Sequence, residues 1–393
     1  MKIKVLNDEG IINIHNISKD DYSHSPLKNN ITYIGSSSKE ENSLNIINSY
    51  INNKKSILFD NTNKIISSQV DNLDIFTKQD FSMLFFTSGS TGNPIGALKT
   101  KQNLEDEVKV FSKLIQDYNI KQVIVTVPFI HIYGTLIGLL YPLLNNIDII
   151  LKEHFLPNDL INIIDDNSLI VTTPLYIKAL NKITKNKDLN KSLFISSTAP
   201  LDKENAKRFC EKFNTNIMQL FGSTETSGIA YKYNDDEMWL PLDSVKISTN
   251  NENELKVKSP FVSDILFENG FRNTNGEIQT FDYIEMYNEK FKLIGRSSKI
   301  FKIAGKRYST VQIENILEDI DEISNALVFV DNSDNNLRDE ILNITLESKK
   351  EFTRLEIKKI LKSKLSNLKF SIKLNYVDKI PTNIIGKKLL TLN

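Results

Sequence analysis

The chain has 393 residues, longer than one compact core, so two or three domains are expected. Its 49 basic and 49 acidic residues cancel, which excludes the cationic footprint of a nucleic-acid or acidic-membrane binder. A single cysteine, Cys210, excludes an intramolecular disulfide and a cysteine-cluster metal site, and reads as a buried bystander.

Residues 2–6 read as a first short strand. They belong to an opening, MKIKVLNDEG, that has no apolar h-region. Residues 31–34 and 57–59 read as strands and 43–51 as a helix, separated by Asn-rich turns. Met83-Leu84-Phe85-Phe86 is an apolar run that predicts a buried strand, and a helical pattern begins after Pro94 and Gly96. A helix over 103–118 and a β-branched strand over 122–127 follow. Residues 136–144 predict a buried helix. The apolar run containing it, 132–144, is shorter than the roughly 20 residues a membrane span needs, and a cytoplasmic protein is expected. Strands at 147–151, 169–171 and 193–196 alternate with helices, one of them at 201–213 with Asp202 in its first turn. Such alternation predicts a mostly parallel sheet covered by helices. From 251 to 281 short strands and Asn-Gly turns at Asn269 and Asn275 predict an antiparallel section. Beyond Arg296, helices at 311–317 and 353–365 and strands at 326–330 and 341–346 predict a small α+β unit. The fold class is therefore α/β, with a large domain over 1–297 and a small α+β domain over 298–393.

Four stretches carry chemistry. The first, Thr87-Ser88-Gly89-Ser90-Thr91-Gly92, sits between the buried strand and the helical pattern. Glycines let backbone N–H groups point at an anion, and the hydroxyls add donors, so strand, loop and helix together form a phosphate cradle. A plain surface turn has the same composition. It is neither a Walker loop nor a dinucleotide fingerprint. The second, Phe221-Gly222-Ser223-Thr224-Glu225, offers an aromatic face, a hydroxyl and a carboxylate within five residues, or else a turn with a capping hydroxyl. In the third, Pro128 to Gly134, His131 is either a core histidine or a functional one. The fourth is a basic run from Gly295 to Tyr308.

The loop at 87–96 resembles the T-S-G-T/S-T-G-x-P-K-G signature of the adenylate-forming superfamily, which holds acyl-CoA synthetases, peptide-synthetase adenylation domains and luciferases. Ile95 stands at the lysine position, and Lys99 and Lys101 just beyond it are candidates to replace the charge. Five further segments resemble the family's motifs in the family's order. Ser197-Thr198-Ala199-Pro200 is similar to the adenine-side G-G-A/E-P segment, with Ser197 and Thr198 in place of glycines. Phe221 to Glu225 is similar to Y-G-x-T-E, and Thr280-Phe281-Asp282 to T-G-D. Gly295 onward is similar to the hinge segment, and Pro381 to Lys387 to the terminal P-x-T-x-x-G-K. The segment around His131 resembles P-x-F-H-x-x-G of acyl- and aryl-CoA ligases.

The resemblance implies a set of roles. Thr87, Ser88, Gly89, Ser90, Thr91, Gly92, Thr198, Ala199, Pro200, Phe221, Gly222, Thr224, Asp282 and Arg296 would bind ATP or AMP, with Asp282 on the ribose hydroxyls. Glu225 would take Mg²⁺. His131, Tyr133, Gly134 and Gly138 would line the acyl pocket, the glycines leaving space on their helix face and His131 acting as a gate to the thiol. Ser298 would be the hinge of a mobile C-terminal domain and Gly305 would line the thiol tunnel. Lys387, Thr224 and His131 would be catalytic. The region before the phosphate loop is shorter than the family's. The expected activity is an ATP-dependent acid–thiol ligase. It would activate a fatty or aryl carboxylic acid as acyl-AMP and pass it to the phosphopantetheine thiol of CoA or an acyl carrier protein. The alternative is a catalytically impaired module that binds AMP or a carrier protein.

Overall fold

The computed structural model describes residues 1–18, 28–35, 37–61, 66, 74–87, 94–296, 300–303, 306–331, 341–365, 371–382 and 388. The chain forms two compact units. One is Met1–Ser248 with Lys256–Ile278, and the other is Thr249–Leu255 with Gln279–Asn393.

In the first unit the apolar runs are buried on both faces. Val123, Val125, Leu169, Val171, Leu193 and Ile195 pack into one core with Ile46, Ile47, Tyr50, Leu104 and Phe111. Ile124, Ile170 and Phe194, the residues between them, pack into another with Leu160, Ile177, Ala206 and Phe209. Burial on both sides is what a parallel sheet with helices on each face requires. The order across this nine-stranded sheet is Leu240–Pro241, Ser227–Tyr233, Asn216–Ser223, Leu193–Ser196, Ser168–Thr172, Gln122–Val125, Asp148–Lys152, Lys2–Leu6, Ile11–Asn16. Neighbours are parallel from Asn216–Ser223 through Lys2–Leu6 and antiparallel at both edges. The edge strand Ile11–Asn16, which sequence periodicity missed, is exposed along most of its length.

A second, six-stranded sheet corrects one expectation. Lys28–Ile34, Lys54–Leu58 and Met83–Phe86 are parallel. Gly96–Lys99, however, is an antiparallel strand with Gly96 opposite Phe86 and Lys99 opposite Met83. The phosphate-type loop thus joins two antiparallel strands and does not open a helix. A Cβ on Gly96 would stand 3.0 Å from Leu84 Cδ1 and 3.3 Å from Phe267 Cβ, so glycine permits this close strand packing. The helix begins later, at Lys101–Leu114, where the Thr100 side chain accepts from Asn103 N and the Asn103 side chain accepts from Thr100 N. Ile265–Phe267 and Phe271–Asn273 complete this sheet as antiparallel strands, in keeping with the antiparallel section expected there.

The buried helix at 132–145 carries a π-helical turn, Leu136–Leu140, between α-helical turns. Pro142 has no N–H to give the carbonyl four residues back and its ring crowds that carbonyl, which favours a widened turn just before it. In the second unit Ile323–Asp331, Ile341–Ser348 and Ser371–Tyr376 form a three-stranded sheet. Ile313 and Leu317 of Thr310–Glu318, and Ile357 and Leu361 of Arg354–Lys364, join its core. This is the α+β arrangement the sequence predicts.

Candidate active site

Parallel strands point their C-terminal ends the same way, and a crevice opens where the chain reverses its direction of travel across the sheet. Here the reversal is at Gln122–Val125, flanked by Asp148–Lys152 on one side and Ser168–Thr172 on the other. The strand ends and loops at this edge carry Thr126 to His131, Thr172, Ser196 to Pro200 and Phe221 to Glu225. Thr126 Oγ1 donates to Val171 O at 3.1 Å and lies 3.1 Å from Thr172 Oγ1, which ties the first two loops together.

The Phe221 to Glu225 segment is the tip of the antiparallel pair Asn216–Ser223 and Ser227–Tyr233. Its turn is closed by side chains. Ser223 N donates to Thr226 Oγ1 at 3.1 Å, Thr226 N donates to Ser223 Oγ at 3.1 Å, and the two hydroxyl oxygens lie 2.9 Å apart. Phe221 is half-buried, its ring 5.6 Å from that of Trp239, and Thr224 and Glu225 keep half-buried side chains at the tip. The carbonyl of Glu225 points inward and accepts from Ser263 N at 2.9 Å and Lys99 Nζ at 3.1 Å.

Lys99 is therefore not a substitute cation for the loop lysine. It is fully buried, and its ammonium is held by the carbonyls of Glu225 and of Phe261, the latter at 2.6 Å. Burial pushes it down to about 7, and Glu107, Glu225 and Asp264 offset part of that push. Glu107, on Lys101–Leu114, is also buried, and its Oε1 accepts from Gly228 N at 2.8 Å. Burial raises its pKa, and Lys99, the Gly228 N–H and the Ser227 hydroxyl oppose the rise. Lys101 donates to Asn53 Oδ1 at 2.7 Å and lies over the Tyr50 ring, 4.6 Å from its centre. Glu107 went unrecognised in the sequence; the signal for this pair was a lysine ending a short apolar strand.

At the neck of the phosphate-type loop Thr87 N donates to Ile95 O at 2.9 Å and Ile95 N donates to Thr87 Oγ1 at 3.0 Å. Ser88, Gly89, Ser90, Thr91 and Gly92 lie outside the described residues. Thr198, Ala199 and Pro200 are exposed, and Thr198 takes φ +80°, a left-handed conformation that β-branched residues resist. Ser197 Oγ donates to Leu220 O at 2.9 Å, joining this turn to the strand that leads to Phe221.

After Gln122–Val125 the chain turns into the helix through His131. Its Nε2 is sealed from solvent with no hydrogen-bond partner, and burial pushes the imidazole down to about 4, partly offset by Asp60. The Tyr133 hydroxyl lies 2.8 Å from Ile195 O and 3.0 Å from Thr172 O, and burial raises its pKa. The expectation that Gly134 and Gly138 leave space is corrected. A Cβ on Gly134 would lie 2.1 Å from Pro128 O, and one on Gly138 would lie 3.0 Å from Val125 Cγ1 and 3.2 Å from Phe129 Cε1. Both glycines let the helix close onto the backbone and side chains beside it.

In the second unit Asp282 and Arg296 face each other across the hairpin of Glu277–Tyr287 and Lys290–Arg296. Arg296 Nε donates to Asp282 Oδ1 at 3.2 Å, and Asp282 N donates to Thr280 Oγ1 at 3.1 Å. Phe281, at the motif's glycine position, is exposed. Lys388 pairs with Thr382 in an isolated antiparallel bridge and donates to Glu314 Oε2 at 3.4 Å, to Glu318 Oε1 and to Ala326 O. Its neighbour Lys387, with Ser298 and Gly305, lies outside the described residues.

A hydroxyl and one carboxylate on a locked turn suit a hard divalent cation whose shell is completed by substrate phosphates and water, as Mg²⁺ prefers. Among the described residues no group of three or more His, Cys, Asp or Glu side chains could enclose a metal alone. No helix among them is long and apolar enough to cross a membrane.

A parallel sheet whose strand order reverses at Gln122–Val125, with hydroxyl-bearing segments at the C-terminal ends of its strands, is an α/β arrangement suited to a nucleotide. Residues 15–261 match the AMP-binding enzyme family, and the chain belongs to it; that is the adenylate-forming superfamily. Over 347 residues the chain is 25% identical to VraA of Staphylococcus haemolyticus, named as a long chain fatty acid-CoA ligase, covering 85% of this chain and 73% of that one. Luciferin 4-monooxygenase of Nipponoluciola cruciata is 24% identical, over 82% of this chain and 64% of its own length. Among solved structures, O-succinylbenzoate coenzyme A synthetase (MenE) of Bacillus subtilis, in complex with ATP and magnesium ion, superposes with TM-score 0.79 at 17% identity. It covers 92% of this chain and 88% of that one. ATP-dependent activation of an acid is the chemistry these relatives support.

Proposed function

We propose that the protein is an acid–thiol ligase working in two half-reactions. In the first, a carboxylate oxygen attacks the α-phosphorus of ATP, the bond to the bridging oxygen breaks, and pyrophosphate leaves as acyl-AMP forms. In the second, a pantetheine thiol loses its proton and attacks the acyl carbonyl, and AMP departs with its oxygen. Bound Mg²⁺ would neutralise phosphate charge, with Glu225 and the substrate phosphates as its ligands. Thr224 donates to the α-phosphate, Phe221 offers its ring to adenine, Asp282 accepts from the ribose hydroxyls and Arg296 steadies them. Lys387 serves the first half-reaction, His131 gates the acyl group from the thiol, and the small C-terminal domain pivots at Ser298, bringing Gly305 to the thiol path. A fatty or aryl acid without an α-amine is the substrate class, and CoA or an acyl carrier protein the acceptor; the cytoplasm supplies ATP and thiol alike.

The observation that carries this reading is the turn at 222–227. Its hydrogen bonds and inward carbonyl hold Thr224 and Glu225 at the tip of the strand pair, a preorganised phosphate and cation site. The test is mass spectrometry of products formed from ATP, Mg²⁺ and a panel of fatty and aryl acids, with CoA or a carrier protein. Acyl thioester and AMP support the reading. Intact ATP with every acid contradicts it and favours a binding module, the reading for which Ile95 and the strained Thr198 speak.

A further inference from the structure

We propose that Lys99 is a positioning residue for phosphate and cation handling: its buried ammonium holds the Thr224–Glu225 turn from beneath, and Glu107 is its counter-charge. This inference rests on the ligase reading.

Lys99 ends the strand that follows the phosphate-type loop, and Thr100 begins the helix bearing Glu107. Its ammonium reaches out of that strand to two distant carbonyls, Glu225 O at 3.1 Å and Phe261 O at 2.6 Å. One side chain therefore ties the strand behind the loop, the tip that presents Thr224 and Glu225, and the segment at 259–263. Ser263 N adds a second donor to the same Glu225 carbonyl, and Asn103 Nδ2 donates to Pro260 O at 2.8 Å, so the segment is fixed from both sides. With its carbonyl pinned inward, Glu225 has a fixed backbone from which its carboxylate extends.

Neutral residues could pack this space more cheaply, since a fully buried ammonium needs compensation. Glu107 supplies part of it from the adjoining helix, where its charge acts on Lys99 and its Oε1 accepts from Gly228 N. Gly228 is itself in the strand leaving the turn, so Lys99 holds the turn and Glu107 holds the strand that leaves it. A Cβ on Gly228 would stand 2.8 Å from Glu107 Oε1, which shows how closely the carboxylate approaches that backbone. The pair holds two flanks of one phosphate-handling tip.

The test separates positioning from mere stability. Lys99→Met leaves Glu107 buried and uncompensated, and a large loss of thermal stability is expected. Lys99→Met with Glu107→Gln removes both charges and is expected to recover most of the wild-type melting temperature. Lys99→Gln with Glu107→Gln keeps an N–H donor and serves as a second folded variant. For each variant that melts cooperatively, the readout is the Mg²⁺ concentration giving half of the ATP-induced rise in melting temperature. The expected result is a rise of about tenfold or more in the neutral pair, the scale of losing a partner behind a metal ligand. A neutral pair with wild-type stability and wild-type Mg²⁺ dependence overturns the role of Lys99 alone. Wild-type protein with no Mg²⁺-dependent response to ATP overturns the ligase reading and this inference with it.

Discussion

The Cα of Gly222 faces the carbonyl oxygen of Ser227 so closely that a Cβ would lie 2.1 Å from it. Two strands meet here at the tip that carries Thr224 and Glu225, and only a residue without a side chain lets them do so. Gly222→Ala must push backbone against backbone. A loss of about 3 kcal/mol is expected, the upper part of the range for overpacking. Urea unfolding measures it, and an unchanged midpoint would show that the turn has room to give.

Thr198 has the opposite relation to its backbone. Its φ of +80° suits glycine, and a β-branched residue held there costs about 1–2 kcal/mol. Thr198→Gly relieves that strain, less the extra entropy glycine loses on folding. A gain of about 1 kcal/mol is expected by urea unfolding. A loss of stability would mean that contacts of the threonine outweigh the strain.

His131 predicts a pH dependence. The folded imidazole stays neutral down to about pH 4, whereas an unfolded one takes its proton near pH 6.5. Between these values the unfolded chain binds the extra proton, so stability falls as pH drops from 6.5 to 4, by at most about 3 kcal/mol. His131→Gln should remove this component. The comparison is of melting temperature against pH for the two proteins, and parallel curves would exclude a sealed, neutral His131.

Lys387 is expected to matter for one half-reaction. Bringing a carboxylate within about 4 Å of an anionic phosphate meets roughly 4 kcal/mol of repulsion at an effective dielectric near 20. An ammonium between them lowers that barrier, and Ile95 leaves the loop one lysine short. Lys387→Ala is expected to slow acyl-AMP formation by about 10²–10³, on the scale of one preorganised donor. Synthetic acyl-AMP with thiol should still give near-normal thioester formation. Equal slowing of both steps would remove Lys387 from this role.

The sequence disclosed what depends on local pattern. The apolar runs read as strands at 122–127, 169–171 and 193–196 are legible because both faces are buried. It misled where one residue type serves two purposes. Gly96 reads as the opening of a helix but sits in a strand that needs close packing, and Gly138 reads as space but is where Val125 and Phe129 press in. Lys99 reads as a candidate to replace the charge missing at Ile95. Only the long-range fold, bringing residues 225 and 261 over it, turns it inward. Asp282 and Arg296 were named one at a time, and their pairing required the hairpin register.

On the proposed reading this chain joins a carboxylic acid to AMP. Exchange of labelled pyrophosphate into ATP tests it most directly, because label returns to ATP only by reversal of acyl-AMP formation. Exchange by the wild-type protein is expected to require both Mg²⁺ and a fatty or aryl acid and to fall sharply in Glu225→Gln. Exchange absent with every acid while ATP still binds, or undiminished in Glu225→Gln at limiting Mg²⁺, would contradict it.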